Sequence, residues 1–336
     1  MDKSMSDKIV FLTEMGFVGK IPDTHENMRT EFAWMNILNA EHHPLMDYRN
    51  IGGFDLVIII WPKGKTYLNA TGEQLALKSA EPNILEKYLN VDIVSTLKRG
   101  NKKVAYMQEG PSWFCNDYTV PQQFKYYNQI FESDIIFCHN KKDISWYKGL
   151  FPDKTVRVLQ SLMIDTLIKD IKWRPEDKVI IGGNFCRWYG GFQSYLVSYE
   201  FGVDKWIPSM HNKREFEDQI DDLNHLPYMG WLDWMKTLST FKYAIHLMPT
   251  IAAGTFSLNC AYFGIPCIGN EKIDPQRLCH PDLSVDVEDI ATARKLAQKL
   301  KNDEDFYNHC SNSAKFNYTE HFHISKFKEK FNWTNN

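Results

Sequence analysis

The chain has 336 residues, 43% of them hydrophobic and 24% charged, with a formal net charge of −3. That length is too great for one ordinary core and suits two domains. The charge excludes a uniformly basic nucleic-acid binder, so a polyanionic partner would need a local patch.

In chain order, "KIVFLTE" (8–14) reads as a buried strand and "ENMRTEFAWMNILNAEH" (26–42) as a helix. "FDLVIIIWP" (54–62) is a second strand, 81–100 a helix, 102–110 a strand and 121–133 a helix. The strand 134–140, helix 141–151 and strand 154–160 follow. Near-continuous apolar strands separated by helices signal a parallel sheet covered on both faces. A charged, Pro-containing linker (168–178) interrupts the pattern. It restarts with strands at 178–184 and 204–210 and helices at 190–201, 213–223 and 232–240. Then come the strand "YAIHLM", a helix over 256–263, the strand "IPCIGN", a helix over 289–302 and further helix to the end. The expected fold class is α/β: two doubly wound, Rossmann-like domains in series, 1–168 and 174–314, with a hinge near residue 172. Ligands in such sheets bind outside the C-terminal ends of the strands.

The seven cysteines (115, 138, 186, 260, 267, 279 and 310) form no C-x-x-C pair, which predicts reduced thiols and a cytoplasmic protein. The N-terminus has no apolar stretch of signal-peptide length, and no 18-residue apolar run predicts a membrane span. His and Cys show no metal-ligand spacing and no Asp-x-Asp precedes the cleft, so a metal-independent site is expected. The charge runs "HNKKD" and "KREFED" read as solvated helix surfaces.

Three linked segments carry a resemblance. "VIIGGNFCRWYGGFQSYLVSY", "LPYMGWLDWMKTLSTFKYAIHLMP" and "AAGTFSLNCAYFGIPCIGN" resemble, in order, three segments of the GT-B glycosyltransferases. These are the opening strand-to-helix segment, the nucleobase loop, and the donor loop E-G-F-G-x-x-x-x-E-A-x-A-x-G-x-P. "VAYMQEG" and the 133–159 segment are loosely similar to the T-even phage DNA glucosyltransferases.

The resemblance implies two Rossmann-like domains facing a cleft, and a C-terminal helix (315–336) crossing back to the first. It implies a nucleotide diphosphate sugar, expected to be a UDP-sugar, as donor and no other cofactor. Gly254, Thr255 and Phe256, with Ala253, would bring backbone N–H groups to the diphosphate, and Arg187 would clamp it. Tyr228, Met229 and Gly230 would hold the nucleobase. Ile251 and Asn259 stand where many retaining members carry glutamates, leaving the ribose to an amide such as Asn259. Tyr189 stands where a phosphate-binding Lys is usual, and Gly16 and Gly19 would approach the donor phosphate from the first domain.

The acceptor hydroxyl needs a base; Glu109, ending "VAYMQE", is the candidate, with Asp117 and Glu14 competing. His25, Arg29, Trp113, Phe114 and His139 are acceptor-side candidates, each with a structural alternative. His246 reads as core or cleft wall. The acceptor expected is a 5-hydroxymethylated pyrimidine in double-stranded phage DNA, flipped between aromatic walls, with the host cytoplasm as location. Lys63, Lys65, Lys102, Lys103, Lys141 and Lys142 are its phosphate patch. The alternatives are a cell-surface glycan or lipid-linked acceptor, and a non-catalytic nucleotide-sugar-binding relative.

Overall fold

The computed structural model describes residues 8–25, 27–61, 89–117, 119–209, 214–331 and 333. Seven strands form the first sheet: β1 (Ile9–Thr13), β2 (Gly19–Lys20), β3 (Glu41–Pro44), β4 (Leu56–Ile60), β5 (Lys103–Gln108), β6 (Ile135–Cys138) and β7 (Thr155–Val158). Their order is β2-β3-β1-β4-β5-β6-β7, parallel throughout except for β2 against β3. Six form the second: β8 (Glu176–Ile181), β9 (Asp204–Ile207), β10 (Leu223–His225), β11 (Phe241–His246), β12 (Cys267–Asn270) and β13 (Ser284–Val285). These run parallel in the order β10-β9-β8-β11-β12-β13. Strand order therefore reverses between β1 and β4 in one sheet and between β8 and β11 in the other, where crevices open at the strand ends.

Side-chain alternation sorts the apolar strands onto two faces. Val10, Leu12, Val57 and Ile59 pack into an outer core of the first sheet. Phe11, Ile58 and Met107 point the other way, into a core shared by both sheets. That shared core runs through Trp34 and Phe137 to Phe256, Leu258 and Ala261, and takes in Tyr318, Phe322 and Phe327 of the last helices. Beyond the helices Glu304–Phe322 and Ile324–Lys330, the chain lies on the first sheet: Phe331 stacks on Phe137 at 6.1 Å, and Lys103 donates to the Trp333 carbonyl.

Two of the expected helices are replaced in whole or part by other structure. The helix expected over 26–42 spans only Thr30–Ile37, and 41–44 is strand β3. His42 explains it: the ring bonds Thr13 Oγ1 at 2.8 Å and Phe17 O at 2.7 Å and stacks on Phe17, all contacts at long range. The helix expected over 213–223 is a 3-10 turn, Glu217–Gln219, leading into β10. Glu217 is buried, accepting from the amides of Phe185 and Arg214, so this charge run is no solvated helix face. Lys213 lies outside the described residues, as do Lys63, Lys65 and the 81–88 part of the helix expected over 81–100.

Candidate active site

The first cavity, about 330 Å³, opens where β8 and β11 diverge. Gly182 and Gly183 follow β8 and carry no side chains because neighbours fill that space. A Cβ on Gly182 would stand 2.4 Å from His246 Cγ, and one on Gly183 2.7 Å from Tyr189 Cβ. Tyr189, Tyr228, Met229, Trp231, Trp234, Thr255, Phe256 and Asn259 line the cavity, and Arg29 reaches it from the first domain. His246 ends β11 beneath it, edge-on to Phe256 at 5.0 Å. Burial pushes its pKa down to about 4, so the ring is neutral at pH 7, and among the described residues its Nε2 has no protein partner. The sequence offered one sign of this, a histidine closing an apolar strand.

The helix Thr255–Phe263 starts at Gly254 and presents its positive N-terminal end on the cavity side, where Thr255 and Phe256 are lining residues. Gly254 has φ +69°, and a Cβ there would meet Ile273 Cγ2 at 2.5 Å and Pro275 Cγ at 2.9 Å. The packing makes Gly254→Val a folding lesion and not only a block to a diphosphate, predicted to cost about 2 kcal/mol or more. A thermal melt without ligand checks this; an unchanged midpoint would contradict it.

Asn259 is buried. With its amide set to satisfy both neighbours, it donates to Thr255 O at 3.3 Å and accepts from Trp234 Nε1 at 3.1 Å. It thereby fixes the indole in the wall, and its second N–H and second lone pair remain for a ligand in the cavity that it lines. Arg187 is exposed on the turn after β8 and is not a lining residue. Ala253 and Gly230 flank the cavity without lining it.

A second cavity, about 260 Å³, lies at the ends of β1, β4 and β5, lined by Thr13, Glu14, Met15, Glu31, Ile60, Trp61 and Glu109. Glu109 owes its placement to Gln108. That buried amide accepts from the Tyr106 hydroxyl at 3.0 Å and the Tyr126 hydroxyl at 2.5 Å, and donates to Pro111 O at 3.3 Å. Gly110, at φ +118°, then turns the chain. Arg29 on the first cavity and Glu31 on the second are separated by Thr30 alone.

Other candidates fall elsewhere. Gly19 sits in edge strand β2 opposite His42, and neither it nor Gly16 lines either cavity. His25 stacks on Phe32 at 4.5 Å. His139 is buried beside Trp34, 5.5 Å away, rather than open to the cleft. Trp113 is partly exposed and lines neither cavity. Phe114 and Asp117 belong to a 3-10 turn whose backbone alone is described for them. Lys102 and Lys103 lie at the start of β5, the edge away from the cavities, whereas Lys141 and Lys142 open the helix after β6 in a groove with Lys272 and Arg277. Among the described residues no three His, Cys, Asp or Glu side chains are grouped to hold a metal ion, and no helix is long and apolar enough to cross a membrane.

No protein-family model and no curated protein sequence matches the chain. Solved structures do. An alpha-glucosyltransferase in complex with UDP and a 13-mer DNA containing an HMU base is 12% identical with a TM-score of 0.62, over 97% of this chain and 98% of that one. Anabaena HepE in complex with UDP-glucose is 10% identical with a TM-score of 0.62, over 96% and 97%. S. aureus TarM, in complex with fondaparinux, alpha-GlcNAc-glycerol and UDP, is 10% identical with a TM-score of 0.56, over 82% of this chain. The chain spans about half of TarM, 54% of its length. These neighbours are GT-B glycosyltransferases, and the chain has the GT-B fold: two parallel-sheet, Rossmann-like domains.

Proposed function

We propose that the chain is a glycosyltransferase that binds a UDP-sugar in the 330 Å³ cavity and transfers the sugar to a hydroxyl held in the 260 Å³ cavity. One observation carries this reading: a cavity walled by Tyr228, Trp231 and Trp234 and reached by Arg29 adjoins, across one residue, a cavity holding Glu14, Glu31 and Glu109. The first suits an aromatic base and an anionic diphosphate. The second suits a hydroxyl and the base that deprotonates it. Donors that bind only the folded chain raise its melting point. UDP and UDP-sugars are expected to do so by several degrees, more than GDP or ADP. A flat response to all of them would end the reading.

For the acceptor we propose a hydroxymethylated pyrimidine in duplex DNA. Support comes from the DNA in the alpha-glucosyltransferase complex, which matches over nearly both whole chains. Lys141 and Lys142, with Lys272 and Arg277, supply the phosphate track, in place of Lys102 and Lys103. Transfer should then fall steeply between about 50 and 200 mM salt, since neutralised phosphates release counterions. The alpha-GlcNAc-glycerol in the TarM complex supports a second reading, a surface-glycan acceptor. Salt-insensitive transfer to a small glycan, with none to hydroxymethylated DNA, would select it.

A further inference from the structure

The donor loop does not belong to the second domain alone. Asn140, fully buried at the N-cap of the first-domain helix Lys141–Leu150, donates from Nδ2 to Ala252 O at 2.9 Å. Its Oδ1 accepts from the Asp274 amide at 2.8 Å, and Asp274 Oδ2 in return accepts from the Lys141 amide at 2.8 Å. One residue further along the loop, the buried Ser161 hydroxyl donates to Ala253 O. Two successive donor-loop carbonyls thus end on first-domain side chains.

A trans peptide is planar, with its C=O and the next N–H in opposite directions. Drawing the Ala252 and Ala253 carbonyls towards the first domain therefore turns the amides of Ala253 and Gly254 away from it. Among the described residues neither amide meets a protein acceptor. They lead directly into the N-terminus of the helix Thr255–Phe263.

We propose that Asn140 and Ser161 are positioning residues for the donor diphosphate: from the first domain they set the direction of the donor-loop amides. Diphosphate binding then requires contact between the domains at this seam, whereas nucleoside binding does not, because the aromatic wall at Tyr228, Trp231 and Trp234 comes from the second domain. The proposal rests on the UDP-sugar reading above.

The test is a titration of the full chain with uridine, UDP and UDP-glucose, followed by tryptophan fluorescence, since Trp231 and Trp234 line the cavity. Asn140→Ala and Ser161→Ala should each weaken UDP and UDP-glucose about 10-fold, the scale of one lost hydrogen-bonding arrangement, and leave uridine within about 2-fold. Ser161→Thr keeps the hydroxyl and should restore UDP binding. A merely structural role would move all three ligands together and would lower the melting point in proportion. UDP affinities equal to wild type in both alanine variants overturn the proposal while leaving the donor reading intact. A wild-type chain that binds uridine no better than other nucleosides, and no UDP, removes the donor reading and this proposal with it.

Discussion

Glu109→Gln is expected to lower kcat by about 100-fold or more while UDP-sugar affinity stays at its wild-type value. Forming a glycosidic bond to a hydroxyl releases a proton, and a carboxylate within reach of that hydroxyl can take it. Glutamine keeps the size and hydrogen bonding of Glu109 and removes the basicity. Donor affinity should hold because Glu109 lines the 260 Å³ cavity and not the 330 Å³ one proposed for the donor. The Gln108 anchor to Tyr106 and Tyr126 precedes the substituted residue and is untouched, so the fold should hold as well. Steady-state kinetics on both substrates separates the outcomes. Near-normal kcat would move the role to Glu14 or Glu31, which share the cavity. A loss confined to acceptor KM would make Glu109 a binding group.

Arg29→Ala should weaken UDP-sugar binding by about 1.5–3 kcal/mol, the range for a hydrogen bond to a charged group. That is roughly a 10- to 150-fold rise in Kd. Arg29 lines the 330 Å³ cavity, and its Nε donates to Asn27 Oδ1 at 2.9 Å. Its backbone is fixed too: Arg29 bridges Met163, and the Thr30 amide bonds Leu162 O at 2.8 Å. Thr30 has φ +49°, a left-handed conformation that is strained for a β-branched residue and persists only where its surroundings impose it. Arg29→Lys should recover only part of the loss, since an ammonium lacks the planar fork. Arg187→Ala, expected from sequence to have this effect, should change Kd less, its side chain being exposed outside the cavity lining. Calorimetry on the three variants decides; a greater loss in Arg187→Ala would mean that this arginine swings in with the ligand.

The strands at the sheet centres were legible because burial on both faces leaves apolar runs, as in "LVIII" and "IIFC". Strand β3 was not. Glu41–Pro44, lying between β2 and β1, carries no apolar alternation and exists because it pairs with β1 and His42 finds Thr13 and Phe17. The same limit applied at the site. A glycine before a helix and aromatics after a strand are local patterns, so Tyr228, Thr255 and Phe256 could be singled out before their meeting point was visible. Arg29 reached the 330 Å³ cavity only through the packing of two domains. Asn140 and Asp143, in a charge run expected on the surface, are buried, and Asn140 bonds residues more than a hundred positions away. Sequence separation of that kind leaves no periodic trace.

All seven cysteines are buried. Burial raises the thiol pKa at Cys138, Cys260, Cys279 and Cys310, so the reactive thiolate is scarce at neutral pH. Six of them are spread over three hydrophobic cores: Cys115 and Cys138 in the outer core of the first sheet, Cys260, Cys267 and Cys279 in the shared core, and Cys310 in a core on the outer face of the second sheet. The native chain therefore carries its own set of opening reporters. An alkylating reagent modifies each thiol only as fast as the surrounding core comes apart. The order in which these cysteines are modified ranks the local stabilities of the two domains and of the seam between them, with no label introduced.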